Sequence, residues 1–225
     1  MLVGEVLQRI VSLYSKGVQS DDARLTYRHA YSKLLSSRAK YLIQKAKKRQ
    51  QISTWCYQTL SCVKVIDVPI TECPCLPISG CTVKRSEYKL PKPITGLINN
   101  NIDWILSLDG SIRFDESTRA EMLHIKGNKY TNGNYRYVID KGYAYFYGKN
   151  VPRVVQVRML CEDPVEAIKF IDACGECEEC VDIFDMEFPM ESGYIDYIIE
   201  DAVKELIGTL NPQIEDVKNN ASAQI

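Results

Sequence analysis

Histidine is nearly absent: His29 and His124 are the only two in 225 residues. That leaves little for general acid–base chemistry near neutral pH. No G-x-S-x-G, Walker or dinucleotide-binding fingerprint occurs, so nucleophilic hydrolysis, P-loop chemistry and hydride transfer lack their usual sequence supports. No run approaches the ~18 apolar residues that a bilayer span requires. Glu5, Gln8 and Arg9 interrupt the N-terminal stretch where a secretory signal would need apolar continuity. The expectation is a soluble protein without catalytic machinery, made and used in cytosol-like conditions.

Charge of one sign is missing from two long stretches. Between Ala23 and Ile66 there are ten Lys or Arg and no Asp or Glu, whereas between Phe170 and Val203 there are eleven Asp or Glu and no Lys or Arg. The net charge of −1 conceals this polarity. Two readings follow: the opposed faces meet within one molecule, or copies of the chain meet head to tail. The cations Arg38, Lys40, Lys45, Lys47, Lys48 and Arg49 could also follow a phosphate backbone in a sequence-blind way, but no RNA-binding or helix-turn-helix signature accompanies them.

Nine cysteines, an odd number without an export signal, predict free thiols more than a disulfide framework. Three stand in CGECEEC, at Cys174, Cys177 and Cys180. Tetrahedral zinc needs a fourth N or S ligand, which would have to come from Cys73, Cys75, Cys81 or Cys161 across the fold. The plainer reading is a turn with three small apolar side chains on one side. Asp182, Asp185 and Glu187 could hold a divalent metal, yet in so acidic a segment they read as a solvated loop.

What is present is ordinary globular material, with 45% hydrophobic and 25% charged residues, enough for one good-sized domain or two small ones. Val3, Val6, Leu7, Ile10, Val11 and Tyr14 fall at helical spacing, ended by Gly17. Ser20, Asp21 and Asp22 offer caps for a second helix over about 22–50, carrying Leu25, Tyr31, Leu34, Leu35, Leu42, Ile43 and Ala46. From Trp55 the texture becomes β. CVKVIDVP alternates, Asp109-Gly110 marks one hairpin, Asp140-Lys141-Gly142 marks another, and a strand follows at about 153–160. Fourteen tyrosines against five phenylalanines suit thin β layers and interfaces.

Helical signals return at EDPVEAIKFI, where Asp163, Pro164 and Glu166 make an N-terminal capping pattern. Ile195, Ile198, Ile199, Ala202 and Leu206 then mark a closing helix that Gly208 and Asn211-Pro212 stop. The expected fold is α+β. N-terminal helices (1–52) and C-terminal helices (162–210) form a bundle around an inserted antiparallel β domain (53–161) of five to seven short strands, before a polar tail (211–225).

Several phrases carry a resemblance. VGEVLQRIVSLYSKGVQSDDARLTYRHAYSKLLSSRAKYLIQKAKKRQ resembles the N-terminal helices of head-to-tail connector ring proteins of crAss-like tailed bacteriophages. CPCLP, YKLPKPITGL, LDGSI and GNKYT are similar to their β part, and EFPMESGYIDYIIEDAVKEL to their closing helix. Likeness to the tail tubular and adaptor proteins of short-tailed phages is architectural only. The resemblance spans roughly residues 3–210.

It implies a structural virion subunit without catalytic residues, cofactor or membrane contact, made in the host cytoplasm and commonly present in twelve copies. Such rings stack beneath the portal protein, touch other ring or tail proteins, and continue the DNA channel, where contact with genomic DNA would be non-specific. On that footing Arg38, Lys45, Lys47, Lys48 and Arg49, with Glu176, Glu178, Glu179 and Asp182, are candidates for the subunit interface or the channel lining. The tail would add a strand or helix to the portal or to an adjacent ring. The contrasting reading is a zinc-stabilised, nucleic-acid-binding regulator built on the cysteine loops and the basic helix.

Overall fold

Val3, Val6, Leu7 and Ile10 are all buried on one face of the first helix, α1 (Val3–Tyr14). The computed structural model describes residues 1–17, 25–72, 81–96, 102–118, 120–122, 134–170 and 182–210. The chain divides into two units, Met1–Gln50 with Val181–Ile225, and Gln51–Cys180.

In the first unit, α1 starts where the Leu2 N–H donates to the Glu5 carboxylate at 2.9 Å. It stops as expected at Gly17, whose N–H reaches the Ser12 carbonyl at 2.9 Å from a left-handed backbone, φ 79°. The second helix, α2 (Tyr27–Lys47), begins at Thr26, whose Oγ1 accepts the His29 N–H at 3.3 Å. The expected caps at 20–22 lie outside the described residues. A third helix, α3 (Ser192–Leu210), buries Ile195, Ile198, Ile199, Ala202 and Leu206, the residues its spacing selected. It runs through Gly208 instead of stopping there, because a glycine costs a helix only about 1 kcal/mol and does not break it.

The second unit is a closed barrel of seven strands in the order β1-β2-β6-β5-β4-β3-β7. They are β1 (Gln58–Pro69), β2 (Thr82–Ser86), β3 (Ile102–Ser107), β4 (Arg113–Glu116), β5 (Arg136–Asp140), β6 (Tyr143–Tyr147) and β7 (Val154–Met159). The long β1 serves two neighbours. Its first half pairs with β7 and its second half with β2, and a register shift between Leu60 and Val63 bends it from one to the other. Both predicted hairpins are present. Gly110 (φ 70°) lies in the β3–β4 turn, and Lys141 (φ 50°) with Gly142 (φ 86°) makes the two-residue β5–β6 turn.

Leu60, Val63, Ile105, Phe114, Tyr137, Phe146, Val155 and Val157 form the main core of this unit. Phe114 meets Phe146 edge to face with centroids 5.1 Å apart. Val138 and Tyr145, next in sequence to Tyr137 and Phe146, belong to a second cluster with Val68, Val83 and Met122, so β5 and β6 are buried on both faces.

The expected helical bundle with an antiparallel insert is therefore wrong. The β part closes on itself into a barrel, and one of its pairs, β4 with β5, is parallel. The segment Pro164–Phe170, expected to complete the bundle, is a 3₁₀ helix and belongs to the barrel unit. Asp163 does cap it, accepting the Val165 N–H at 2.9 Å, but the Glu166 carboxylate takes the Lys92 N–H at 3.2 Å. Pro164, Ala167 and Phe170, three apart, are all buried, the spacing at which a 3₁₀ helix puts side chains on one face.

Candidate assembly surface

Along α2, Ala30, Leu34, Ser37, Arg38 and Leu42 are buried, so the apolar stripe of the helix continues through an arginine. Arg38 is fully buried, and its Nε donates to the Pro189 carbonyl at 3.2 Å. The turn EFPM leaves that carbonyl outside any helix, which gives the guanidinium an acceptor a leucine could not use.

Two turns later Lys45 pairs with Glu191 at 2.9 Å, lies 4.5 Å from the centroid of the Tyr194 ring, and is 5.3 Å from that of Tyr41. Burial alone would lower the Lys45 pKa. Hydrogen bonds to Glu191 and Tyr41 more than offset it, and the ammonium is held above its ordinary value. Burial pushes Tyr41 up to about 12.

Lys33 reaches Glu205 at 3.7 Å, Lys40 pairs with the same carboxylate, and Arg9 on α1 meets Asp196 at 2.8 Å. The basic and acidic stretches thus meet within one chain along the α2–α3 seam. Solvent screening makes the exposed pairs worth little individually.

Charges without an ion pair among the described residues remain at the C-terminus of α2, at Arg28 in its first turn, and on the turn that packs on Tyr27. At the C-terminus of α2 Lys47, Lys48 and Arg49 are exposed, and no ion pair among the described residues engages them. The helix closes with the Arg49 N–H on the Ala46 carbonyl and the Gln50 N–H on the Lys45 carbonyl, both at 3.0 Å. In this closure Arg49 takes the left-handed conformation, φ 55°, that glycine usually fills.

Beside the N-terminus of α2, the 3₁₀ turn Ile183–Asp185 is capped by Asp182, which accepts the Phe184 N–H at 3.0 Å. Phe184 stands edge to face on Tyr27 at 5.9 Å, and a Cβ on Gly4 would come within 3.0 Å of the Phe184 carbonyl oxygen. Ile183 and Phe184 are nonetheless 41% and 43% exposed, flanked by exposed Asp182, Asp185 and Glu187. Glu176, Glu178 and Glu179 lie outside the described residues.

The barrel unit offers a groove of about 830 Å³ lined by Leu90, Pro91, Pro93, Ile102, Met159 and Phe170. At its rim the Lys92 ammonium meets Glu162 at 2.6 Å. Cys174, Cys177 and Cys180, the candidate zinc ligands, lie outside the described residues, as do Cys73 and Cys75. Among the described residues Cys81 is exposed, Cys161 is buried, and no cluster of three His, Cys, Asp or Glu is arranged to hold a metal. Cys62, buried in β1, is disulfide-bonded, which corrects the free-thiol expectation at that position. Sequence reasoning missed Tyr27, Phe184 and Tyr194; for Phe184 and Tyr194 the available signal was an aromatic within an acidic segment, and Tyr27, in the basic stretch, offered none.

Residues 5–225 match the family described as phage tail ring protein 2. The chain is also 31% identical over 214 residues to Ring protein 2 of Bacteroides phage crAss001, a similarity that covers 91% of this chain and 90% of that one. No helix among the described residues is long and apolar enough to cross a membrane.

Proposed function

The chain belongs to the phage tail ring protein 2 family, structural ring components of the virion, and on that premise we propose that it is a non-enzymatic subunit of the head-to-tail connector. Twelve copies close into a ring below the portal protein and continue its DNA channel, with other ring or tail proteins as neighbours. Contact with the passing genome is through phosphates and without sequence preference.

The observation that carries this reading is a pair of oppositely charged patches without ion pairs among the described residues, one at the C-terminus of α2 and one on the separate turn that packs on Tyr27. A closed ring of identical subunits needs two different patches that complement each other, and Lys47–Arg49 and Asp182–Glu187 are such patches on one unit. A DNA-lining role for part of the basic end is compatible with this.

Sedimentation of the purified chain with and without the portal protein of the same phage tests the proposal. Co-sedimentation in one fixed stoichiometry is expected. Independent sedimentation of the two proteins across the accessible concentrations would refute it.

A further inference from the structure

Among the described residues, the acidic turn Asp182–Glu187 and the basic C-terminus of α2 make no ion pair with each other. The helix has 21 residues and is on the order of 31 Å long. Phe184 is tied to its first residue, Tyr27, and Pro189, two residues beyond Glu187, to Arg38 at its middle, while Lys47 is its last. Glu191, the carboxylate that reaches the last turns of α2, is taken by Lys45 at 2.9 Å. Among the described residues, Lys47, Lys48 and Arg49 make no ion pair, and neither do Asp182, Asp185 and Glu187.

We infer that the basic end Lys47–Lys48–Arg49 of one copy seats on the acidic turn Asp182–Glu187 of the next, with Ile183 and Phe184 as its apolar anchor. This rests on the ring reading and specifies its subunit contact. Both patches combine what a protein interface uses. The turn offers two large apolar side chains, 41% and 43% exposed, inside a polar rim. The helix end offers three long side chains whose apolar stems can cover them while the charged heads meet Asp185 and Glu187.

The backbone supplies a second observation. Arg49 occupies a left-handed position, φ 55°, where a side chain is disfavoured and glycine is not. Within the chain that arginine makes no ion pair among the described residues. A contact to another copy is what would use it.

The test is a charge-exchange experiment on the full-length chain, read by sedimentation velocity under the conditions in which the wild type forms its ring. One variant carries Lys47→Glu, Lys48→Glu and Arg49→Glu; the other carries Asp185→Lys and Glu187→Lys, leaving the capping Asp182 untouched. Each variant alone should lose the ring. An equimolar mixture should regain it, because both kinds of junction in an alternating ring are then complementary. Arg49→Gly, which relieves the backbone, should raise the thermal midpoint yet require severalfold more protein to assemble.

If the wild type assembles and either variant alone assembles as well as it does, the inference fails and the ring reading stands. It fails equally if neither assembles alone and the mixture stays dispersed, since the patches would then not be partners. A wild type that forms no ring, with or without portal protein, overturns both.

Discussion

The Nε of Arg38 and the carbonyl oxygen of Pro189 lie 3.2 Å apart, 151 positions distant in sequence, and this bond fixes the turn before α3 against the middle of α2. Arg38 is fully buried, so its loss is felt as packing and as an orphaned acceptor together. Arg38→Ala is expected to destabilise the chain by about 3 kcal/mol. Arg38→Met, which keeps most of the volume, should cost about half as much. Urea unfolding of both variants measures this, and an unchanged midpoint for Arg38→Ala would contradict the assignment.

Asp109 gives an acid signature. Its carboxylate accepts from the hydroxyls of Ser107 and Ser111 and from the Ser111 N–H at 3.2 Å. The Ser107 hydroxyl bond is the largest cause, and together they lower its pKa from 3.8 to about 2. A depressed pKa means that the stabilisation is complete above the unfolded value near 3.8 and disappears as pH falls through about 2. Carboxyl titration by NMR should place the Asp109 midpoint near that lower value, and Asp109→Asn should remove this part of the acid dependence. A midpoint at 3.8 would show the turn bonds absent in solution.

Arg49→Gly separates backbone cost from surface use. Replacing a side chain at φ 55° by glycine should stabilise the isolated chain by about 1 kcal/mol. Thermal denaturation reads the sign directly; a lower midpoint would mean that Arg49 makes a stabilising contact within its own chain.

Phe114 tests barrel closure. It is 2% exposed and packs edge to face on both Phe146 and Tyr135. It stands on β4, whose parallel pairing with β5 covers only Asp115 with Arg136 and Glu116 with Tyr137. Phe114→Ala is expected to cost about 3–5 kcal/mol and to expose β4 and β5 amides first in hydrogen exchange. Uniform loss of protection across all seven strands would argue that this pair is not the weak seam.

Much of the element content was legible because it is local. The spacing of Val3 to Ile10 and of Ile195 to Leu206, and the turns at Asp109-Gly110 and Lys141-Gly142, act over a few residues. Closure of the sheet is not local. It depends on β1 bending at Leu60 to Val63 to serve two neighbours, and on β4 meeting β5 in parallel, which no short pattern encodes. The residues of the assembly surface were legible as charges, but their partners were not. Arg38 and Lys45 read as surface cations in sequence, and only the Pro189 carbonyl and Glu191 turn them inward. Lys47 to Arg49, exposed and without an ion pair among the described residues, stand apart from Arg38 and Lys45 only once those partners are known.

The most direct measurement is native mass spectrometry of the full chain, alone and with portal protein. A closed assembly of twelve subunits at bare polypeptide mass, formed alone or on the portal, is the expected result. A chain that remains monomeric beside assembled portal, or that carries the added mass of a zinc ion, would contradict it.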